Sequence, residues 1–400
     1  MLALEMYRSL PRHLAGKAIG SRVPGILSGY AAPLRLVTLD QPRADRPGWA
    51  RLRTRMCGVC GSDLGALSGR TSLYFSALVS LPFVPGHEVV ADLMDDCEDL
   101  PAGTRVVIDP VLTCAARDVE PCEACVAGAT NRCARITVGG LSAGLQTGFC
   151  SDTGGGWGEV LTAHRSQLHP VPDAYSDEQA ILIEPLACAV HTALRAGIGD
   201  NDRVLVSGAG LVGLLTTLAI RSLTDAGEIT VVAKHAHQRE HALALGATEV
   251  VQPGEVLRRL RRATGAFLVE PELGSSYLLG GVDVAVDAVG RKRSLETTLQ
   301  ATRAGGRVVL AGMPDAADLS AAWFRELEIV GTYASAHKEA GADDRSAFDV
   351  AIDLMAGDPV SALAKTIATY PLHRWREALD HAHGAGRLGT VKVAFDPRSR

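Results

Sequence analysis

The pattern of apolar and polar positions divides the chain into two regions. Up to about residue 110, short β-type runs are separated by Gly and Pro, which is typical of a barrel-like or sandwich-like domain. These runs are Leu34–Val37, Ala50–Thr54, Glu88–Ala91 and Arg105–Ile108. After Asp177, strands alternate with helices, and this alternation predicts a parallel, doubly wound sheet. Its predicted strands are Val204–Ser207, Ile229–Ala233, Glu249–Val251, Val282–Asp287, Arg307–Ala311 and Glu328–Gly331.

A glycine-rich turn, Gly208-Ala209-Gly210-Leu211-Val212-Gly213, stands between the first of these strands and a long apolar helix, Leu214–Leu223. The order of strand, turn, helix and strand is the one that a dinucleotide-binding unit requires. Gly208 permits the tight turn, Gly210 lets the backbone approach a pyrophosphate, and Gly213 lets the helix pack closely against the strand. The helix N-terminus offers free N–H groups to the phosphates. The alternative is a glycine-rich turn without a ligand, but the elements on both sides favour the cofactor site.

These patterns predict an α/β chain with two domains. Residues 1–186 are predicted to form a β-rich domain with a cysteine-bearing lobe at 111–135. Residues 187–333 are predicted to form a doubly wound Rossmann domain, and residues 334–400 to return to the first domain and end in a strand at Thr390–Phe395.

The composition is that of a globular protein, with 47% hydrophobic and 21% charged residues, and the net charge of −5 gives no support to binding of nucleic acid or a membrane surface. No apolar run reaches the length of a membrane span. Basic residues near the N-terminus, among them Arg8, Arg12, Lys17 and Arg22, resemble the start of a targeting peptide, but no apolar core follows them. We therefore predict an N-terminal extension of the folded chain in a cytoplasmic protein.

Cys60, His87 and Glu88 supply a thiolate, an imidazole and a carboxylate, all of which zinc accepts. Adjacent His and Glu side chains on a strand point to opposite faces, so both can reach one metal only if the backbone bends, as Gly86 permits. Glu184 is a further acidic candidate, just before the nucleotide fold. The alternative, for Cys60 or His87 taken alone, is a core thiol and a structural histidine.

Five motifs occur in order along the chain: Cys60-Gly61-Ser62-Asp63, Gly86-His87-Glu88, a four-cysteine lobe, Glu184-Pro185-Leu186 and the Gly208 turn. Together they resemble the zinc-containing medium-chain alcohol dehydrogenase family, and most of all its polyol and threonine dehydrogenase branch. The resemblance implies a GroES-like catalytic domain beside the Rossmann domain. It also implies one catalytic and one structural zinc ion, and a homodimer or homotetramer.

The resemblance implies that Cys60 and His87 are catalytic-zinc ligands. It makes Glu88 a third ligand or a close neighbour, and Glu184 a fourth ligand, direct or through water. A zinc ion with one thiolate, one carboxylate and a neutral histidine has a net charge near zero, and a second carboxylate would weaken the acidification of a bound hydroxyl. We therefore expect that Glu88 and Glu184 are not both tight inner-sphere ligands while substrate is bound.

The same resemblance implies two supporting roles beside these ligands. Ser62 occupies the place of the hydroxyl that receives the alcohol proton, and Asp63 that of the carboxylate that orients the ligand His87. Where many relatives have a histidine that passes the proton to solvent, this chain has Leu64-Gly65. The route by which the proton leaves therefore stays unassigned.

Nine cysteines, four of them between residues 114 and 133, favour metal sites over a disulfide framework in a chain of this type. Cys122, Cys125 and Cys133 have the spacing of the family's structural-zinc lobe. Val119 occupies the usual place of the fourth cysteine, so Cys114 is the remaining fourth ligand, and residues 115–121 form a widened loop. Four thiolates imply a closed structural zinc site, unless the wider loop has cost the site its metal.

The cofactor is predicted to be NADP rather than NAD. An acidic residue at the end of the second strand normally holds the ribose of NAD, but here that place is Lys234, which would attract a 2′-phosphate with help from His235 or Arg239. The alternative is a solvated surface lysine with NAD bound by other contacts. Segments that carry Val289 and Gly312 follow later strands and are predicted to wall the cofactor site.

The predicted reaction is hydride transfer between NAD(P) and a secondary alcohol or polyol, or its ketone or aldehyde. Apolar residues in Ser72–Leu78 and Trp323-Phe324 mildly favour a bulky or apolar alcohol. Two alternatives stay open at this point: a reductase of C=C or C=N bonds, and a non-catalytic member that binds NADPH and zinc.

Overall fold

The computed structural model describes residues 1–19, 32–338 and 345–399. Within these residues, the contacts divide the chain into two compact units. The first comprises Met1–Glu184, Ala336–Lys338 and Leu363–Arg400, and the second comprises Pro185–Ser335 and Glu339–Ala362. By contacts, the first unit's long segment ends at Glu184, and residues 345–362 belong to the second unit. The domain bounds 1–186, 187–333 and 334–400 stay predictions. Arg22, in the predicted N-terminal extension, lies outside the described residues.

The secondary structure of the described residues is numbered in chain order. The strands are β1 Leu2–Met6, β2 Leu34–Thr38, β3 Trp49–Gly58, β4 Val89–Leu93, β5 Arg105–Ile108, β6 Val160–His164, β7 Leu168–Pro170, β8 Arg203–Ser207, β9 Glu228–Val232, β10 Glu249–Val251, β11 Phe267–Val269, β12 Tyr277–Leu279, β13 Val282–Asp287, β14 Thr302–Leu310, β15 Glu328–Gly331, β16 Ile367–Tyr370 and β17 Lys392–Phe395. The helices are α1 Leu10–Ile19, α2 Gly61–Leu67, α3 Glu123–Val126, α4 Asp177–Ala180, α5 Ile183–Arg195, α6 Leu211–Leu223, α7 Ala236–Ala244, α8 Val256–Thr264, α9 Lys292–Ala301, α10 Ser320–Phe324, α11 Ala347–Leu354, α12 Ser361–Ala364 and α13 Trp375–Leu388.

The first unit is built around one sheet with the strand order β16-β17-β3-β4-β5-β7, and β6 pairs with β3 beside it. All of its strand pairs are antiparallel except β16 with β17. The N-terminal strand β1 pairs with β2 in a separate two-stranded sheet. This architecture confirms the β-rich, GroES-like prediction for the first part of the chain.

Strand β3 leads directly into the site. Side chains along β3 alternate between more and less buried as far as Arg55, but Met56, Cys57 and Gly58 are all buried. A register shift between Thr54 and Met56 interrupts the pairing with β4 and ends the alternation. The end of β3 is therefore enclosed on both faces, and Cys60 follows two residues later.

The second unit contains a six-stranded sheet in the order β10-β9-β8-β13-β14-β15, and every pair in it is parallel. Numbered from its first strand, this is the 3-2-1-4-5-6 order of a dinucleotide-binding sheet. Helix α6 is buried from Gly213 to Ile220, as expected for a helix that covers a parallel sheet. The Rossmann prediction is confirmed.

Among the strands of the described residues, β1, β7, β11, β12 and β16 were not predicted, and β11 and β12 form a hairpin. Among the helices of the described residues, none has both the length and the apolar character needed to cross a membrane.

Candidate active site

Cys60 and Asp63 are positioned by the start of helix α2. Cys60 precedes the first residue of the helix, and its backbone N–H donates a hydrogen bond of 2.9 Å to Oδ2 of Asp63. The bond satisfies one of the free N–H groups at the helix start and fixes the Asp63 carboxylate. The Asp63 side chain is buried, so its second oxygen, Oδ1, faces the protein interior.

His87 lies next to that oxygen. Nδ1 of His87 lies 3.4 Å from Oδ1 of Asp63, and both side chains are almost fully buried. Burial alone would lower the pKa of His87, but the Asp63 carboxylate and the Cys60 thiol outweigh it, so the pKa of His87 is raised well above its ordinary value. The structure thus brings Asp63 next to His87, in the place where a carboxylate that orients a ligand histidine would be.

The backbone bends just before His87, as the prediction required. Gly86 has a φ of +96°, a left-handed conformation that favours glycine. A Cβ atom there would collide with the ring of Trp157 and would lie 2.6 Å from Sγ of Cys57. Only glycine fits at this position, and the bend allows His87 and Glu88 to serve one cluster.

Cys60, His87 and Glu88 form a zinc-competent cluster, because their ligand atoms all lie within 4.8 Å of one another. One thiol, one imidazole and one carboxylate are a donor set that zinc accepts. Glu184, the second residue of α5, is buried but is not a member of this group.

Glu88 also has a partner that sequence reasoning missed. Its Oε2 atom forms an ion pair with Nζ of Lys392, the first residue of β17, and both side chains are buried. Burial alone would lower the pKa of Lys392, but Glu88 and Cys60 raise it overall, so this lysine keeps its charge. A charged residue in the otherwise apolar run Val391–Phe395 was the available signal.

Asp109 is another buried carboxyl group of the first unit that sequence reasoning did not single out. It follows β5, and its Oδ1 accepts a hydrogen bond of 3.1 Å from the N–H of Val111. Burial raises the pKa of Asp109 to about 7; the Val111 bond opposes this increase, and the Glu184 carboxylate adds to it. Asp109 therefore titrates near neutral pH.

Ser62 is exposed on the first turn of α2, where a hydroxyl can exchange a proton with a ligand or with solvent. Leu64 and Gly65, which follow on the same helix, have no side-chain group that carries a proton.

The four cysteines of the lobe converge, as predicted. The sulfur atoms of Cys114, Cys122, Cys125 and Cys133 all lie within 4.8 Å of one another. Sγ of Cys114 is 3.6 Å from Sγ of Cys133, far beyond a disulfide bond, and all four cysteines are free. Cys114 thus completes the set despite its wider spacing, and four thiols with no open position fit a structural zinc ion.

Backbone N–H groups already point at these sulfurs. Sγ of Cys122 accepts from the N–H of Ala134 at 3.5 Å, and Sγ of Cys133 accepts from the N–H of Arg135 at 3.4 Å. The Ala134 bond is the main reason why the pKa of Cys122 is lowered to about 6. The thiolate form, which binds zinc, is therefore favoured at Cys122, whereas burial raises the pKa of Cys125 and of Cys133.

In the second unit, the three glycines of the turn each meet a distinct requirement. Gly208 has a φ of +106°, and a Cβ atom there would collide with the side chain of Val289. A Cβ on Gly213 would collide with the carbonyl oxygen of Gly208, so α6 packs against the turn only with glycine. Gly210, just before Leu211 and Val212 in the first turn of α6, has no atom within 4 Å of the Cβ position. The open space at Gly210 is where a pyrophosphate would approach.

The segments after β13 and β14 meet at this turn. The N–H of Gly312 donates to the carbonyl oxygen of Asp287 at 2.9 Å, and a Cβ atom on Gly312 would lie 2.7 Å from the nitrogen of Gly290. Val289 stands between Asp287 and Gly290 in the sequence. Its side chain is partly exposed and lies next to Gly208.

Lys234 follows β9 and is exposed, with its backbone N–H donating to Oε1 of Gln238 at 3.2 Å. His235 precedes the first residue of α7, and Arg239 is exposed on the same helix. The ring of His235 stacks on that of His237, with 5.7 Å between their centroids.

A parallel-sheet unit shaped to hold a dinucleotide, in one chain with a β-rich unit that has two zinc-competent clusters, is characteristic of zinc-dependent, NAD(P)-dependent dehydrogenases. Comparisons with known proteins agree. Residues 46–173 match the family described as "Alcohol dehydrogenase GroES-like domain", and residues 212–356 match the one described as "Zinc-binding dehydrogenase".

Curated relatives and a solved structure extend this likeness over most of the chain. D-altritol 5-dehydrogenase of Agrobacterium fabrum is 31% identical over 315 residues, which is 75% of this chain and 81% of the relative. Sorbitol dehydrogenase of Arabidopsis thaliana is 30% identical over 294 residues, with 72% and 74% covered. The structure of 2R,3R-butanediol dehydrogenase from Bacillus subtilis has the same fold, with a TM-score of 0.69 at 22% identity over 91% of this chain and 96% of that one. The chain belongs to the zinc-containing medium-chain alcohol dehydrogenase family, and it is a zinc-dependent alcohol or polyol dehydrogenase.

Proposed function

We propose that this enzyme transfers a hydride between NADP and a secondary hydroxyl of a polyol or related alcohol, or the matching ketone. The convergence of Cys60, His87 and Glu88 within 4.8 Å of one another carries this proposal. The names of the two curated relatives, altritol and sorbitol dehydrogenases, support a polyol over the bulky apolar alcohol that the sequence mildly favoured.

In this proposal Cys60 and His87 hold the catalytic zinc ion, with Glu88 or Glu184 as the carboxylate partner. When bound, zinc supplies Lewis acidity at the substrate oxygen, and the nicotinamide supplies or accepts the hydride. Oδ1 of Asp63 faces Nδ1 of His87 at 3.4 Å, which leaves Nε2 of His87 for the metal. The ion pair with Lys392 already balances the charge of Glu88. Glu184 is therefore favoured as the carboxylate that would be displaced from the zinc ion when substrate binds.

Ser62 is proposed to take the alcohol proton at Oγ during oxidation. Its exposure on α2 gives that oxygen access to solvent, and neither Leu64 nor Gly65 can relay the proton further. A relay beyond Ser62 therefore uses water or another side chain.

The preference for NADP is proposed to come from Lys234. The exposed ammonium group follows β9, at the position where an acidic residue would hold the ribose of NAD. His235 and Arg239 add donors on the adjoining helix α7.

The decisive experiment measures kcat/KM for five- and six-carbon polyols, simple secondary alcohols and the matching ketones, each with NADP and NAD. Cys60→Ser and Cys114→Ser are measured beside the wild type, with zinc determined in every sample. We expect oxidation of at least one polyol with NADP, its loss in Cys60→Ser, and about two zinc ions per wild-type chain. Full activity of zinc-depleted enzyme or of Cys60→Ser would contradict the proposal and favour a C=C or C=N reductase. NADPH binding without turnover across the panel would favour a non-catalytic member.

The homo-oligomer and the cytoplasmic location stay predictions.

A further inference from the structure

The loop between Cys114 and Cys122 is a turn that backbone hydrogen bonds hold in place. The N–H of Arg117 donates to the carbonyl oxygens of Thr113 at 3.1 Å and Cys114 at 3.2 Å, and the N–H of Val119 donates to the same Cys114 oxygen at 3.2 Å. Asp118 adopts a left-handed φ of +52°, which closes the turn. The residues that widen the cysteine spacing therefore also fix the backbone of Cys114.

Arg117 extends from this turn into the interior of the lobe. Its side chain is fully buried, and its guanidinium donates to five backbone carbonyl oxygens. These belong to Leu112 at 3.2 Å, Val138 at 3.2 Å, Leu141 at 3.1 Å, Ser142 at 3.2 Å and Gly144 at 2.6 Å. One side chain thus ties the segment before Cys114 to the segment after Cys133.

A buried cation held by carbonyl oxygens alone is costly unless an anion lies nearby. None of the ion pairs among residues 1–19, 32–338 and 345–399 includes Arg117. Burial lowers the pKa of Arg117, and the groups that oppose this are Cys150, Cys133, Asp152 and Cys114. Asp152 is exposed, so the buried candidates for a counter-charge are thiols, and two of them belong to the metal cluster.

Four thiolates around one divalent zinc ion carry a net charge of about −2. We propose that Arg117 is the positioning residue of the four-cysteine site, supplying both the counter-charge for the zinc–thiolate cluster and the clamp that holds the Cys114 turn. The wider spacing is then compatible with a bound zinc ion, because the same loop places a cation near the cluster. A lysine could supply the charge, but it has three donors on one atom and cannot span these carbonyl oxygens.

The second unit provides a matched control. Arg325 is also buried, and its guanidinium donates to the carbonyl oxygens of Leu278 at 2.9 Å, Thr302 at 2.5 Å and Leu299. Burial lowers the pKa of Arg325 as well, but no cysteine is among the groups that act on it. Replacing Arg325 therefore removes a similar clamp without touching a metal cluster.

The test compares the full-length, zinc-loaded wild type with Arg117→Gln, Arg117→Lys and Arg325→Gln. Zinc per chain is measured by mass spectrometry, and the rate of zinc release to 4-(2-pyridylazo)resorcinol is followed at neutral pH. Cys60→Ser and Cys114→Ser assign the release phases to the two sites. We expect Arg117→Gln to release the structural zinc about 10- to 100-fold faster than wild type, as is typical when a group that supports metal ligands is lost.

Arg117→Lys should lie between wild type and Arg117→Gln, and Arg325→Gln should release zinc at the wild-type rate even where it unfolds more easily. If Arg117→Gln does not fold, Arg117→Lys carries the test in the folded state, with an expected release faster than wild type. The proposal would be overturned if Arg117→Gln folds and both Arg117→Gln and Arg117→Lys release zinc at the wild-type rate. Equal acceleration in Arg117→Gln and Arg325→Gln would also overturn it, because the effect would then be general destabilisation. Release from Arg117→Lys as fast as from Arg117→Gln would overturn the counter-charge.

Discussion

Nζ of Lys392 contacts Oε2 of Glu88 in the interior of the first unit, and both residues are more than nine-tenths buried. Their two charges cancel beside the Cys60 and His87 cluster. The pairing supports the expectation that Glu88 and Glu184 are not both tight zinc ligands. The negative charge of Glu88 is already balanced by the ammonium group of Lys392, so its carboxylate is attracted less strongly to a metal ion. It also makes Glu88 and Lys392 interdependent.

Lys392→Met should destabilise the first unit strongly. The substitution leaves the Glu88 carboxylate buried without its partner, and breaking a buried ion pair from one side costs about 3–5 kcal/mol. Glu88→Gln combined with Lys392→Met removes both charges and should recover a large part of that loss. The free energy of unfolding in urea, measured for both single variants and the double variant, checks this. Strictly additive losses would show that the two side chains are not coupled.

Lys234→Asp should reverse the cofactor preference. It removes a cation that would pair with the 2′-phosphate and adds a carboxylate that accepts from ribose hydroxyls. We expect the ratio of kcat/KM for NADP to that for NAD to fall by about 10- to 100-fold, the size of one lost charge-assisted hydrogen bond. Lys365→Asp, at an exposed lysine of the first unit, makes the same charge change and should leave the ratio unaltered. An unchanged ratio in Lys234→Asp would reject the assignment.

The glycine turn allows packing to be separated from ligand binding. Gly213→Ala places a methyl group against the Gly208 carbonyl oxygen and should cost about 1–3 kcal/mol of stability without any cofactor. Gly210→Ala meets no protein atom and should cost less than about 1 kcal/mol, yet it should weaken NADP binding. Urea unfolding of the cofactor-free variants and a fluorescence titration with NADPH measure the two effects. Undiminished NADPH affinity in Gly210→Ala would mean that the pyrophosphate does not approach there.

Asp109 should make stability fall as pH rises. Its folded pKa of about 7 exceeds the ordinary 3.8, so its contribution is fully present below about pH 4 and is lost as pH rises through 7. A shift of this size corresponds to at most about 4 kcal/mol. Asp109→Asn keeps an acceptor for the Val111 N–H and should gain stability over wild type between pH 5 and pH 8, measured by urea unfolding at constant free zinc.

Asp152→Asn is the control for that pH series. The pKa of Asp152 is lowered, since bonds from Ser142 and Ser151 outweigh the effect of burial. Its contribution therefore changes only at more acidic pH, and the difference from wild type should be equal at pH 5 and pH 8. A parallel response of Asp109→Asn and wild type would show that Asp109 does not titrate in this range.

Local patterns were sufficient for most of the parallel sheet. The predicted bounds of β10, β13 and β15 coincide with the observed ones, because apolar runs of β-branched residues end there at turn residues. The glycine turn and the convergence of Cys60, His87 and Glu88 were also predictable, the first from its flanking elements and the second from the family resemblance.

Contacts between distant parts of the chain were not predictable in the same way. Lys392 meets Glu88 only because β17 is inserted beside β3, and nothing in the spacing of the two residues shows this. Asp109 follows an ordinary strand, and its raised pKa depends on burial by residues far away in sequence. The sequence identified the loop that contains Arg117 only as a widening of the cysteine spacing, whereas the structure shows that the Arg117 side chain is buried and holds that loop in place.

The place of β17 has a consequence for the order in which the chain is made. β17 pairs with β3 and supplies Lys392, yet it follows the entire second unit in sequence. During synthesis the second unit can fold as one block, because most of it is continuous, while β3 waits with an open edge and Glu88 without its counter-charge. The unit that contains Cys60 and His87 is therefore begun before the second unit and completed after it.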